Sequence, residues 1–378
     1  MKHKRRSKLS PAVLTVCGVL VYLSLTWTYL TSHYQTVYWI SAFLFGVVSE
    51  PVMTTSCGLG DGQVDPGRTN KSKLILLSYM RSGSTYTGSL LALSPDVFYY
   101  FEPLLYTHDD DLEAIDVPIM SRLSFLHPFF PYPPKVLDFL HRLLQCQPTT
   151  HDLKYLLGAE YSESLTNYRD CTQKLRSIED ISSCLPLLAN RCQSKAVTTT
   201  KTVRLKMEES EKSMRCDPGV KVIHLVRDPR PVFLSREAMH YYFDASTFCQ
   251  RVARDARESL RLQKIYPDRM RTLRYEDLAT APVRTTKAIY EFAGIPWMPK
   301  LESRLRSETD SQKPYKIASR WRRKITHKQM KSVQDVCGEM MTIFGYNHFY
   351  SNDHLRDMQQ PSWTKSYSEQ FRKFHVES

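Results

Sequence analysis

The chain has 378 residues, with 52 Lys and Arg against 39 Asp and Glu, so its formal net charge is +13. That length holds a single α/β domain with a core of its own. It shows no internal repeat, and none of its nine cysteines stands at zinc-ligand spacing with histidine, so a repeat array and a zinc module are excluded. The basic excess suits anionic ligands.

In chain order, Lys2, Lys4, Arg5, Arg6 and Lys8 precede residues 9–49, which contain no Asp, Glu, Lys or Arg. About 20 apolar residues span a bilayer. Residues 9–30 therefore read as a transmembrane signal anchor, with 11–30 the span and 1–8 a cytoplasmic tail. Positive residues stay cytoplasmic, which gives single-pass type II topology with the rest lumenal. A cleaved signal peptide is the rival, though its apolar core is normally only about 7–15 residues. The apolar run 37–48 is short for a second span and reads as an interfacial or stem segment.

Residues 31–70 form the expected stem, rich near its end in Gly58, Gly60, Gly62, Pro66 and Gly67 and closing on the sequon Asn70-Lys-Ser72. A sequon matters only in a secretory compartment. Apart from Cys17, eight cysteines remain, at 57, 146, 171, 184, 192, 216, 249 and 337. An even lumenal number permits full disulfide pairing, with buried free thiols as the alternative. The tail carries five of the positive charges, leaving +8 beyond the anchor. Nucleic acid, the other customary partner of a basic chain, is set aside because the anchor places the domain in a lumen.

The folded domain is expected to begin near Lys71 and to run over 71–346, leaving 347–378 as a polar tail of unknown role. Its first element is an apolar strand over 73–79 that feeds Arg81-Ser-Gly-Ser-Thr85 and then a helix over 84–93. A strand, a small-residue turn and a helix make a phosphate cradle. The N–H groups of Ser82, Gly83, Ser84 and Thr85 converge on an anion while the helix adds the positive end of its dipole. The Gly-x-x-x-x-Gly-Lys spacing of nucleotide triphosphatases is missing, and Arg81 stands where a phosphate-binding lysine would be.

A strand over 97–101 follows and ends at Glu102-Pro103. The pattern then weakens, with a Pro-rich turn at 128–134 and helical segments near 136–144 and 153–157, an insertion suited to acceptor recognition. A strand is expected to resume the sheet over 202–207. Residues 220–226 form a β-branched strand running into Arg227-Asp-Pro-Arg-Pro231 and a helix carrying Ser235 and Arg236. Two anion sites at strand ends imply a ligand with two separated phosphates. Phe248, Val252, Ala256 and Leu260 mark a helix stopped by Pro267, 270–275 is a further strand, and Pro282 and Gly294 bracket a helix. Thr326-His-Lys-Gln329 reads as a capping box ahead of a helix bearing Met330, Val333, Cys337, Met340 and Phe344. The alternation of strand and helix gives an α/β fold, a P-loop-like parallel sheet flanked by helices.

These residues carry a close resemblance to the Golgi carbohydrate sulfotransferases that sulfate the 6-hydroxyl of galactose, N-acetylgalactosamine or N-acetylglucosamine. It rests on Arg81-Ser-Gly-Ser-Thr85, Asp96-Val-Phe-Tyr-Tyr-Phe-Glu-Pro103, Val226-Arg-Asp-Pro-Arg230, Ser235-Arg236, Arg274-Tyr-Glu-Asp277, Trp321-Arg322 and Gly345-Tyr346, in order over roughly 73–346. Thr85 and Tyr86 stand where the family more often has Ser and Phe, and Pro231 where it usually has Ala. The resemblance implies a Golgi membrane enzyme that takes 3′-phosphoadenosine 5′-phosphosulfate (PAPS) as donor and a glycosaminoglycan or glycoprotein glycan as acceptor. It assigns Arg81, Ser82, Gly83, Ser84 and Thr85 to the 5′-phosphosulfate, and Arg227 and Ser235 to the 3′-phosphate. Trp321 and Arg322, within the basic run 320–324, would close over the nucleotide. No metal is called for, and self-association stays open.

Sulfuryl transfer to an alcohol needs an in-line nucleophile, a proton acceptor, and positive charge on the transferring and leaving oxygens. Glu102 is the expected base, since it ends a strand beside the cradle on the edge where open α/β sheets bind ligands. Capping a helix or pairing with an arginine is its bland alternative. His108 and His224 are the other candidates, with His224 expected in the core. Arg81 is the expected electrostatic catalyst. Arg230 could instead form a surface ion pair, Arg236 could tie sheet to helix through Asp228, and 274–277 reads as structural. An ATP-dependent kinase and a non-catalytic glycan-binding membrane protein are the rival readings.

Overall fold

The computed structural model describes residues 71–104, 136–156, 162–240 apart from 174 and 176, and 244–364. The expected tail, anchor and stem, Asn70, Cys57, His108 and the Pro-rich turn 128–134 lie outside the described residues. Among the described residues no helix is long and apolar enough to cross a membrane.

Five strands, β1 (Ser72–Leu77), β2 (Val97–Phe101), β3 (Val197–Thr202), β4 (Val220–Val226) and β5 (Met270–Arg274), form one sheet in the order β2-β3-β1-β4-β5. Every pairing is parallel, with Leu74 opposite Thr199 on one side and Lys221 on the other. Parallel strands need crossovers, and helices supply them on both faces. Side chains alternate accordingly. Ile75, Leu77, Val220 and Val222 join one core cluster with α2 (Val136–Leu144) and α3 (Leu185–Gln193), while Leu74, Leu76, Ile223 and Leu225 join another with α1 (Ser84–Ala92). Each such leucine contributes roughly 1.5–3 kcal/mol of burial.

The strand expected over 202–207 lies five residues earlier, and Met207 instead opens α4 (Met207–Cys216). The shift has a physical reason. Residues 198–202, Thr-Thr-Thr-Lys-Thr, show no apolar alternation, yet all five are at most 3% exposed because β3 is enclosed by β1 and β2. β-branching fits threonine to a pleated ladder whatever its polarity.

The second half follows the expected pattern closely. α5 (Pro229–Glu237) is capped by Asp228, α6 (Ala245–Ile265) by Asp244, and α8 (Pro282–Ala293) ends on Gly294 at φ 76°, with α7 (Tyr275–Thr280) between β5 and α8. α9 (Pro299–Gln312) precedes the short helix Pro314–Ser319, and α10 (His327–Ile343) begins with the Thr326–Gln329 capping box. All seven cysteines among the described residues are disulfide-bonded, including Cys146–Cys192, Cys171–Cys184 and Cys249–Cys337. The last pins α6 to α10 across 88 residues, a loop whose closure is worth about 4–5 kcal/mol on chain-entropy grounds.

The folded body does not stop at Tyr346. Tyr346 bridges Trp363, and Phe349 and Leu355, the latter in α11 (Asn352–Arg356), are buried with Trp321, Ile325 and Met330.

Candidate active site

The cradle sits at the carboxyl end of the central strand. Gly83 has φ 87°, and a Cβ built on it would lie 2.2 Å from Cδ2 of Tyr275. Only glycine fits that turn. No side chain caps the N-terminus of α1, so the free N–H groups that open every helix remain for an anion. Ser82 Oγ is buried and has no hydrogen-bond partner among the described residues. A buried hydroxyl left so costs about 1–3 kcal/mol, and a ligand at the turn would remove that cost.

The second anion site adjoins the first because β4 pairs with β1. Arg227, leaving β4, donates from Nη1 to the carbonyl of Arg81 at 3.0 Å and from Nη2 to that of Ile317 at 3.3 Å. Its guanidinium lies 4.6 Å from the centre of the Tyr275 ring, the same ring that fills the space beside Gly83. Burial pushes the Tyr275 phenol up to about 12. In the second turn of α5, Ser235 Oγ accepts from Arg81 Nε at 2.8 Å. The structure thus brings Arg81, Ser82, Gly83, Ser84 and Thr85 together with Arg227 and Ser235 at two neighbouring strand ends.

Glu102 is placed differently from the expectation that it lies beside the cradle, because β3 stands between β2 and β1. Its carboxylate meets the end of β3. One oxygen takes the Lys201 ammonium at 2.5 Å; the other takes Arg204 Nη1 at 3.0 Å and the Val203 N–H at 3.4 Å. Glu102 is 7% exposed. Burial disfavours the charged form of Lys201, the Glu102 carboxylate restores it in part, and the charges of Arg204 and then Arg81 oppose it. Arg81 at φ 70° and Glu102 at φ 46° are both held in the left-handed region. Such backbone costs on the order of 1–3 kcal/mol for each residue, and clusters at functional sites.

Trp321 and Arg322 are not brought into this group. Trp321 is 3% exposed, packed beneath the Arg230 guanidinium and edge-on to Phe349. Arg322 spends its donors on the carbonyls of His354, Leu355, Asp357 and Gln360. It clamps the terminal segment. Arg230 is likewise internal rather than on the surface, pairing with Asp228 and reaching the carbonyls of Asn347 and Ser362. Arg274 bonds Phe344, Thr364 and Asp277, in keeping with the structural reading of 274–277. Arg236 packs on Phe248.

His224 is fully buried, between Tyr79 Oη and Ser259 Oγ at 2.8 Å each, and burial lowers it to about 3. It belongs to the core. Among the described residues no group of three or more His, Cys, Asp and Glu is placed to hold a metal.

Lys201, Arg204 and Tyr275 went unread as site residues. Lys201 and Arg204 stand three apart across the end of β3, a signal usable only once the strand is correctly placed. Tyr275 has no local signature, for its role is steric.

The sequence model described as Sulfotransferase family matches residues 74–299. Carbohydrate sulfotransferase 5 of Mus musculus is 25% identical over 374 residues, covering 84% of this chain and 89% of that one. Carbohydrate sulfotransferase 1 of Danio rerio is 26% identical, covering 77% and 81%. Among solved structures, the sulfotransferase domain of the Synechococcus PCC 7002 olefin synthase aligns at TM-score 0.40 and 18% identity, covering 71% of this chain and 94% of that one. The family match takes in most of β1, the cradle, Glu102, Arg227 and Ser235, and by it this chain belongs to the sulfotransferase family, whose members are transferases.

Proposed function

We propose that this protein moves the sulfonate of PAPS to the 6-hydroxyl of a galactose, N-acetylgalactosamine or N-acetylglucosamine residue in a glycan. The observation that carries the reading is the pairing of two strained residues of opposite charge, Arg81 and Glu102, at the ends of parallel strands on either side of β3. The relatives' names supply the carbohydrate class, and the paired anion sites suit a donor with phosphates at both ends. Arg81, Ser82, Gly83, Ser84 and Thr85 would hold the 5′-phosphosulfate, and Arg227 and Ser235 the 3′-phosphate.

The donor supplies an activated sulfonate. Glu102 accepts the proton of the sugar hydroxyl as its oxygen attacks sulfur, and the bond from sulfur to the 5′-phosphate oxygen breaks. Charge gathers on that leaving oxygen. Arg81 and the first N–H groups of α1 face it, and preorganised donors of this kind are each worth about 3–4 kcal/mol. The basic character of the chain would draw both the anionic donor and an acidic glycan toward the site. We further place the enzyme in the Golgi membrane, with the single type II anchor at 9–30, the stem at 31–70 and the catalytic domain lumenal.

Two measurements test the reading. 3′-Phosphoadenosine 5′-phosphate at about 100 times its Kd should raise stability by about 2.7 kcal/mol, far beyond any effect of ATP. Equal shifts from the two would favour a kinase. Labelled sulfate from PAPS should then appear at C6 of one sugar in a panel of desulfated glycans, and transfer to none of them would remove the carbohydrate assignment.

A further inference from the structure

We propose that Lys201 is the positioning residue of the base: its ammonium selects the Glu102 oxygen that receives the acceptor's proton. This rests on the reading of Glu102 as base. The two carboxylate oxygens are unequally engaged. One accepts from both Arg204 Nη1 and the Val203 N–H, whereas the other accepts from Lys201 Nζ alone. A carboxylate has about four lone-pair positions in all. The oxygen held by Lys201 therefore keeps the vacant one, and it is the atom placed to take a proton.

Lys201 is committed to this contact. Its hydrogen-bond partner is Glu102, its ammonium lies 4.1 Å over the Phe101 ring, and the residue is 3% exposed. It projects from β3, the strand that separates β2, which ends at the base, from β1, which leads into the cradle. The charged and titratable groups around Glu102 are Lys201 on β3, Arg204 just beyond it, Arg81 acting through Lys201, and on β2 the Tyr99 phenol, which burial and then the Glu102 charge push up. Taking away Lys201 leaves the proton-accepting oxygen with no cation, while Arg204 still holds its twin.

The test is the pH profile of kcat/KM in Lys201→Met and Lys201→Arg, with Glu102→Gln as reference. Loss of an opposite charge in contact with a carboxylate raises its pKa by roughly 1–3 units. The acid limb of Lys201→Met should therefore move to higher pH by about one unit or more, with binding of 3′-phosphoadenosine 5′-phosphate unchanged. Lys201→Arg should return the acid limb to its place and move the alkaline limb upward, since a guanidinium does not lose its proton there. If Glu102→Gln is inactive and the acid limb of Lys201→Met stays where it was, Lys201 is a structural ion-pair partner and the inference is overturned. If Lys201→Met does not fold, Lys201→Arg alone decides, and an unmoved alkaline limb counts against the proposal. Full turnover by Glu102→Gln would overturn the base assignment instead, so the two failures are distinct.

Discussion

Replacing Gly83 by alanine probes the cradle at its tightest point. The backbone there has φ 87°, and left-handed geometry costs a residue with a Cβ roughly 1–2 kcal/mol. The new methyl would also fall 2.2 Å from Cδ2 and 2.4 Å from Cε2 of Tyr275, an overlap that the ring must relieve by moving. Forced repacking of this kind typically costs about 1–3 kcal/mol. Together the terms give ~2–5 kcal/mol of destabilisation, a fall in Tm of roughly 3–8 °C for a domain of this size. The movement matters beyond stability, because the Tyr275 ring also carries the Arg227 guanidinium. Gly83→Ala should thus lower Tm and lose the further stabilisation that 3′-phosphoadenosine 5′-phosphate gives the parent domain, both read by thermal melting. Adding Tyr275→Ala should remove the overlap without restoring the ligand response, since Arg227 then has no ring to rest on, and should not restore the Tm, since deleting a buried ring costs about 3–5 kcal/mol. The reasoning is refuted if Gly83→Ala melts with the parent and responds equally to the nucleotide.

Arg227→Ala removes charge-assisted hydrogen bonds worth about 1.5–3 kcal/mol, so the donor KM should rise about 10- to 150-fold with kcat little changed; steady-state kinetics over donor concentration checks this, and an unaltered KM would separate Arg227 from the 3′-phosphate. Arg322→Ala should lower Tm and hasten proteolysis within 347–364 while leaving the donor KM in place, because its donors serve four carbonyls of that segment. A raised KM at unchanged Tm would return Arg322 to the nucleotide. Glu276 is fully buried beside Asp228, and burial first, then the Asp228 charge, pushes its carboxyl up to about 7. A raised carboxyl binds more protons folded than unfolded, so its contribution is complete below about pH 4.3 and is lost as pH rises through 7. Glu276→Gln, whose amide oxygen can accept from the Asp228 N–H while its NH2 group donates to Tyr346 Oη in place of the present acceptor oxygen, should flatten that fall in chemical denaturation; a parent whose stability holds level from pH 5 to 7.5 would contradict it.

The parts of the site that were legible in the sequence are those whose signal is local. A strand running into Arg81-Ser-Gly-Ser-Thr85, or into Arg227-Asp-Pro, is read within about ten residues, and β1, β2, β4 and the capped helices fell close to their expected bounds. What escaped was settled by distant partners. β3 hid because its threonines are buried by neighbours on both sides rather than by an apolar pattern of their own, and with it went Lys201 and Arg204. Trp321 and Arg322 misled for a related reason: a basic run with an indole has the chemistry of a nucleotide site, and nothing nearby in sequence says that its acceptors are carbonyls some 30 residues later.

The seam formed by residues 347–364 bears on how this protein is made. Arg230 and Arg274 emerge from strand ends and are buried, yet acceptors for them sit at Asn347, Ser362 and Thr364. These are synthesised after the sheet they complete. Until they arrive, Arg230 keeps Asp228 and Arg274 keeps Asp277 as partners, but the carbonyls that 347–364 supply are missing, so a chain shortened before residue 347 should pack less firmly around both guanidiniums.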